Sequence, residues 1–445
     1  MKELTNNKVF NTLIIFSIPF LLSYFLQTLY GLADLFIITQ FNEPNIITAV
    51  SNGSQIMHMV TVIIVGLSTG ITITIGNAVG KKDTEKIKKT ISNSIILFSI
   101  ASIVLSILAI LLCNTLIKVL DVPSDAVEAT KSYLVVCFIG IPFIFGYNII
   151  SSTYRGLGDS KTPMILVSAS CIINIGLDFL LVGLFSMQAI GAAIATVFSQ
   201  GLCVLIGVIT LIKNKNIIKP TKDDFKLNNE TTFHILKNGL PIAIQDGLIQ
   251  IAFITITILA NKRGSDISAS VGIVEKLISF LFIVSSSMLS SISAMAAQNI
   301  GANKHNQAFK TFLYGLLITM VFATIVTIPC AIWSEGVISI ITKNETIIKY
   351  ASQYLRSYIF DTIFAGIHFC FSGYFCAYGY SIFSFIHNIT SLSLVRIPVA
   401  FLAWRDHPNS LFEMGVAAPL GSLLSVIICL LIFIILLTKK KIKLK

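Results

Sequence analysis

The sequence predicts an all-α integral membrane protein of twelve transmembrane helices, arranged as two parallel six-helix repeats. Three observations carry this expectation. Of 445 residues, 55% are hydrophobic and only 12% charged, with mean hydropathy +0.85, and no polar stretch is long enough to form a separate soluble domain. Apolar runs able to cross about 30 Å of hydrocarbon recur along the whole chain. Finally, the first half is similar to the second at an offset of 221 residues.

In chain order the twelve runs occupy 11–38, 46–79, 92–117, 132–154, 163–183, 191–212, 234–260, 268–300, 311–333, 351–375, 383–404 and 415–437. The first follows MKELTNNKVF, whose basic start leads into no small-residue cleavage site, so it reads as an uncleaved helix and not as a signal peptide. Short polar or Gly/Pro-containing connections separate the runs. Lysine and arginine concentrate in cytoplasmic loops. With both termini cytoplasmic, inside segments collect 22 of the 32 basic residues, from Lys2 and Lys8 to the KKKIKLK tail, and outside loops collect 7. Lys276, Arg356 and Arg396 fall in or at the ends of runs. The net charge of +11 therefore reads as a topology and anionic-lipid signal and not as a nucleic-acid site. A multi-pass protein of the cell inner (plasma) membrane is expected.

The repeat is visible in short identities at one spacing. GNAVGKKDTEKIKKT (76–90) aligns with AQNIGANKHNQAFKT (297–311), placing Gly80 on Gly301 and Lys89 on Lys310. YRGLGDS (154–160) falls on FCAYGYS (375–381) at the same offset, with Gly158 on Gly379, while Pro19 answers Pro241 at 222. Several matches at one offset mark an internal duplication. Six runs per half is an even number, so both halves enter the membrane in the same direction. Parallel repeats of this kind are an architecture of secondary transporters. The expected division is a lobe over 1–212, a cytoplasmic linker over 213–233 and a lobe over 234–445.

Five of the 21 acidic residues fall inside runs: Asp34, Asp178, Asp246, Glu275 and Asp361. An acid in hydrocarbon must face protein, an ion or water, which makes each a candidate functional group. The helical rise puts Asp34, Asp178, Glu275 and Asp361 in the outer half of the bilayer and Asp246 near its middle. Glu275 has Lys276 as a neighbour, and Asp361 has Arg356 five residues earlier, so structural ion pairs compete with function there. Asp246 lies in a polar patch with Gln245 and Gln250, which suits a cavity wall. Asp34 and Asp178 have no basic residue within a helical turn or two, and a local salt bridge cannot account for them. Asn174 shares a helix face with Asp178 four residues on. Carboxylate, amide and hydroxyl oxygens are hard ligands for a small hard cation, and two close carboxylates can instead share a proton.

Other chemistries find little support. GNAVGKK (76–82) misses the phosphate-loop glycine spacing and its Ser/Thr, which argues against ATP-driven transport. The six histidines show no metal-ligand spacing, the eight cysteines show no C-x-x-C, and no nucleophile is paired with a base. No enzyme activity and no bound cofactor are expected.

The segments LYGLADLFI (29–37), IGNAVGKKD with its second-half partner AQNIGAN, YRGLGDSKTPM (154–164), INIGLDFLLVG (173–183) and GAAIATVFSQG (191–201) resemble the multidrug and toxic compound extrusion (MATE) family, in its bacterial NorM- and DinF-like form, over essentially the whole chain. The resemblance implies two six-helix lobes around a V-shaped cleft and efflux of organic, often cationic, compounds against entry of Na⁺ or H⁺. It also implies a cation site from Asp34, Asn174 and Asp178, with Thr196 and Tyr133 as accompanying polar positions. Pro19 and Gln27 match positions that permit bending or line the cleft. Gln245, Asp246, Glu275 and Asp361 are taken as candidate cleft residues. The second half departs from the pattern, since adding 221 to 34 and 178 lands on Thr255 and Val399.

The expected activity is therefore a cation-coupled multidrug antiporter working by alternating access, as a monomer in the lipid bilayer. A lipid-linked oligosaccharide flippase of the same superfamily is the alternative; it calls for more basic residues within the cleft than the three found near spans.

Overall fold

The computed structural model describes residues 4–5, 8–214 and 218–444. Lys2, Lys445 and residues 215–217 of the expected linker lie outside them. Sixteen α-helices run along the described chain, with no strand among them. Helices suit this composition because hydrocarbon offers no partner for a backbone N–H or C=O, and a helix satisfies them within one segment. The first half contributes α1 (Val9–Phe41), α2 (Pro44–Gly80), α3 (Thr84–Val119), α4 (Val127–Ile139), α5 (Ile141–Gly156), α6 (Lys161–Asp178) and α7 (Gln188–Lys213). The second contributes α8 (Asn229–Asn261), α9 (Ser265–Gly301), α10 (His305–Ile332), α11 (Ser334–Ile341), α12 (Glu345–Tyr358), α13 (Asp361–Ala377), α14 (Ser381–Ser391), α15 (Ile397–Asp406) and α16 (Phe412–Thr438).

Ten helical segments among the described residues are long and apolar enough to cross a membrane, and the bent pairs α4/α5 (43°) and α12/α13 (41°) bring the number to twelve. The first bend has a local cause: Pro142 stands at the second position of α5 and cannot continue the α4 hydrogen-bond ladder. The second comes at Ile359–Phe360, so that Asp361 opens α13. Helix ends outside the apolar runs are capped by side chains. Asp83 accepts from Lys86 N at 2.9 Å, and Asn344 accepts from Thr346 N at 3.0 Å. Asp159, in the turn before α6, accepts from Lys161 N at 2.9 Å and from Thr162 Oγ1 at 2.6 Å. In the linker, Asp224 accepts from Thr221 N and Oγ1, both at 2.7 Å, which holds its carboxyl below the usual range.

Two segments have π-helical geometry: Phe179–Leu184, directly after Asp178, and Leu392–Arg396. A π turn holds one residue more than the α turn it replaces. Gly158 and Gly379, the repeat partners at offset 221, both have positive φ, +85° and +77°.

The chain separates into two compact units. One is built on Leu22–Ala243, and the other joins Leu4–Leu21 to Ile244–Lys445. The division thus passes through α1 and α8, at positions 222 residues apart, each two residues beyond a proline inside the helix, Pro19 or Pro241.

Within the first unit, the start of α8 crosses α2 so closely that a Cβ on Gly70 would stand 2.9 Å from Gly239 N, and one on Gly239 would stand 2.9 Å from the Leu67 carbonyl carbon. Asn93 of α3 pins the approach to α8 by accepting from Asn228 N at 2.8 Å and Thr232 Oγ1 at 3.1 Å. Aliphatic side chains of α2 to α5, including Ile64, Ile71, Phe98 and Phe138, form the core.

Within the second unit, the start of α1 packs on α9. Ser287 Oγ donates to Ser17 O at 3.0 Å, and Leu4 N donates to Gln298 Oε1 at 3.1 Å. The core of this unit gathers Ile256, Val274, Tyr354, Tyr358 and Met414.

Candidate functional site

The residues expected at a cation site all fall within the first unit, whereas Pro19 belongs to the second. Asp34 lies two turns before the end of α1, Tyr133 on α4, Asn174 and Asp178 on the last turns of α6, and Thr196 on α7. Asn174 and Asp178 are buried, and Asp34 is 8% exposed. Asp34 interacts electrostatically with Asp178 and Thr196, and Tyr133 with Asp34. No basic side chain acts on either carboxylate among the described residues. Helical spacing brings Asn174 and Asp178 to one face, and the π turn that starts at Phe179 ends the α ladder directly beside the acid.

This cluster holds several buried polar atoms without a geometric hydrogen-bond partner. Among the described residues, Asp34 Oδ1, both carboxylate oxygens of Asp178, both amide heteroatoms of Asn174 and Thr196 Oγ1 have no hydrogen-bond partner. Buried polar atoms are normally paired, and unpaired buried carboxylates are costly. Its carboxylate, amide and hydroxyl oxygens offer the chemistry of a small hard cation, and its two carboxylates that of a shared proton.

Tyr30, one turn before Asp34 on α1, belongs to the same cluster. It interacts with Asp34, Thr196 and Asp178, and its hydroxyl is buried without a partner. The sequence signal for it was available in LYGLAD, where Tyr30 and Asp34 are four residues apart. Tyr133 is held flat against α2: a Cβ on Gly53 would stand 2.7 Å from its Cε1.

The second-half acids are organised differently. Asp361 does not pair with Arg356, whose exposed side chain donates from Nε to Ala331 O at 3.3 Å. The bend between α12 and α13 separates the two. Asp361 faces Arg396 instead, with Oδ2 at 4.0 Å from Nη1. Glu275 is likewise engaged not by Lys276, which is exposed, but by Arg396 and Thr257. Arg396 Nη2 donates to the Tyr358 hydroxyl, and its guanidinium lies 4.9 Å over the Phe253 ring. Arg396 had no local signal, because its partners are 35 or more residues away in sequence.

Asp246 stands apart from that group. Gln245 Nε2 donates to Asp246 Oδ1 at 3.3 Å, and Ser384 Oγ donates to Gln245 Oε1 at 2.9 Å. Gln27 is exposed on α1, and Pro19 lies inside α1 without ending it.

These features define a polytopic membrane protein made of a duplicated helical unit, with a cluster of unpaired acids inside one copy. The MatE family model matches the chain twice, at residues 19–180 and 241–402, and the chain belongs to that family of membrane transporters. It is similar to the probable multidrug resistance protein YpnP of Bacillus subtilis, 27% identical over 404 residues that cover 90% of each chain. It is also similar to the FAD transporter of Shewanella oneidensis, 25% identical with 93% of this chain and 92% of that one covered. The multidrug export protein MepA of Staphylococcus aureus is 25% identical over 94% of this chain and 90% of its own. Among solved structures, an outward-facing multidrug resistance MATE family transporter of the MOP superfamily superposes with a TM-score of 0.91 at 20% identity, covering 99% and 98% of the two chains.

The two family matches are related by 222 residues at both ends, while Gly158 and Gly379 are related by 221. The π-helical Leu392–Arg396 supplies the extra residue between Gly379 and 402. At either register the second-half counterparts of Asp34 and Asp178 are not acids: Thr255 or Ile256, and Val399 or Ala400.

Proposed function

We propose that this protein is a cation-coupled multidrug efflux antiporter, exporting organic cations against inward flow of Na⁺ or H⁺ by alternating access. The observation that carries the reading is the buried group of Asp34, Asp178, Asn174 and Thr196, in which Asp34 Oδ1 and both Asp178 carboxylate oxygens have no hydrogen-bond partner and no basic side chain beside them among the described residues. A cation entering there supplies the missing positive charge, and it favours whichever conformation binds it better. Drug binding favours the other conformation, and the difference in affinity drives exchange. Tyr30 and Tyr133 line the same group and position its hydroxyl and ring edges around Asp34. Relatives named as multidrug resistance and export proteins support the drug-efflux part of the reading.

On this reading the protein works in the plasma membrane, with both termini cytoplasmic, as a monomer that takes small-molecule drugs and performs no covalent chemistry. A flippase for lipid-linked oligosaccharides needs free basic groups to hold pyrophosphate. Of the three basic residues near spans, Lys276 and Arg356 are exposed and Arg396 is engaged by acids.

The test is efflux of a fluorescent organic cation from vesicles under separately imposed Na⁺ and proton gradients. Acceleration by one of the two gradients is expected. Efflux indifferent to both refutes the coupling.

A further inference from the structure

The two halves place different chemistry at one repeat position. At the 222-residue register of the matched ends 180 and 402, Asn174 of the first half corresponds to Arg396 of the second, and at the 221-residue register to the adjacent Val395. In the first unit that position is a neutral amide beside two carboxylates that no basic side chain neutralises. In the second unit it is a guanidinium facing two carboxylates, Asp361 from α13 and Glu275 from α9. Arg396 closes the π-helical turn Leu392–Arg396, whereas Asn174 lies one α turn before Asp178 and the π segment that follows it.

We propose that Arg396 is a tethered cation: in the second unit it takes the place of one mobile cation, and so sets how many coupling ions the protein binds. The inference rests on the cation-coupled reading above and extends it to the other half of the chain.

The geometry supports a fixed charge. Asp361 has a side chain only 1% exposed and lies 4.0 Å from Nη1. The Tyr358 hydroxyl accepts from Nη2, and the Phe253 ring stacks under Cζ at 4.9 Å, a position that favours a cation. Behind Arg396, a Cβ on Gly421 of α16 would stand 3.2 Å from Arg396 Cβ, so the stem has little room to swing. The titratable groups around the guanidinium are Asp361 and His368 from α13, Glu275 from α9, and Tyr354 and Tyr358 from α12. Neither carboxylate oxygen of Asp361 has a hydrogen-bond partner among the described residues, and neither does Glu275 Oε1. The positive charge that faces both is the Arg396 guanidinium, with Thr257 and Ser422 as their neutral polar neighbours. Removing the guanidinium leaves buried carboxylates that must recruit a mobile positive charge.

The experiment counts cations bound per chain in nanodiscs, as radioactive sodium at fixed pH and as proton uptake in a titration. The full-length background is Asp34→Asn with Asp178→Asn, which silences the first unit. Adding Arg396→Met, or Arg396→Gln, is expected to raise the count by one over that background. Adding Asp361→Asn as well returns it to the background value, and Arg396→Lys never raises it. An unchanged count in folded Arg396→Met and Arg396→Gln overturns the proposal. So does failure of both to fold, because a site able to take a mobile cation keeps its charge balance. If the unsubstituted protein binds no more cations than its Asp34→Asn, Asp178→Asn form while Arg396→Met still adds one, the coupling site in the first unit is refuted and the tethered cation stands.

Discussion

Replacing Gly53 by alanine probes how tightly the acid cluster is built. The new methyl would stand 2.7 Å from Tyr133 Cε1 and closer still to Cδ1, where ordinary carbon contact begins near 3.4 Å, so the ring must retreat by about 1 Å against a packed core. Tyr133 is 3% exposed and has no open side to retreat into. Overpacking of this kind costs about 1–3 kcal/mol, and the same displacement shifts a ring that interacts with Asp34. The assay is thermal unfolding of purified Gly53→Ala, with and without Na⁺ or at two pH values, beside vesicle efflux. A lower melting temperature, a smaller stabilisation by the coupling cation and slower efflux are expected together. Tyr133→Ala in the same chain removes the obstacle, so the double variant must be less destabilised than the sum of the singles. Additive losses, or a Gly53→Ala protein as stable as its parent, would refute the argument that the ring and α2 are in enforced contact.

Asp34→Asn and Asp178→Asn are each expected to leave folded protein in the membrane while lowering gradient-driven efflux by at least about tenfold, the factor produced by losing roughly 1.4 kcal/mol of differential cation affinity; vesicle efflux at matched protein content checks this. Gly239→Ala sets a Cβ against the backbone of Leu67, which cannot rotate away, and is expected to cost about 1–3 kcal/mol or more, read as a lower melting temperature with Gly239→Ser no better. Arg263, between α8 and α9, donates to the carbonyls of Ser410, Ala403, Trp404 and His407 at the end of α15. Arg263→Ala is expected to destabilise by about 2 kcal/mol, since hydrogen bonds from a charged donor are worth roughly 1.5–3 kcal/mol and this one is partly solvated. Arg263→Lys, with fewer donors, should recover only part of that loss in the same melting experiment.

Much of this architecture is legible in the sequence because hydrocarbon imposes few solutions. Long apolar runs must be helices, and the duplication shows in glycines that both halves need for the same positive-φ turn, Gly158 and Gly379. Asp34 and Asp178 are legible for the complementary reason: an acid without a neighbouring base in such a run must find a partner elsewhere. The pairings of Asp361 and Glu275 were not legible. Arg356 and Lys276 are near in sequence, but a bend after α12 and the outward face of α9 direct them away. Their actual partner, Arg396, comes from a π-helical segment, and a one-residue insertion of that kind leaves no mark in composition or periodicity. The bends at Gly140–Ile141 and Ile359–Phe360 show the same contrast, since only the first carries a proline.

The exchange of helix starts between the units has a consequence for how the protein is made. Leu4–Leu21 leaves the ribosome more than 260 residues before its partners Ser287 and Gln298. At about 5–20 residues per second, that segment waits on the order of tens of seconds in the bilayer before its neighbours exist. The second-half start, by contrast, meets Gly70 and Asn93 already in place. Membrane insertion and final packing of α1 are therefore separate events in time, and a nascent chain halted before residue 287 holds α1 half-docked, open to quality control or to a membrane chaperone.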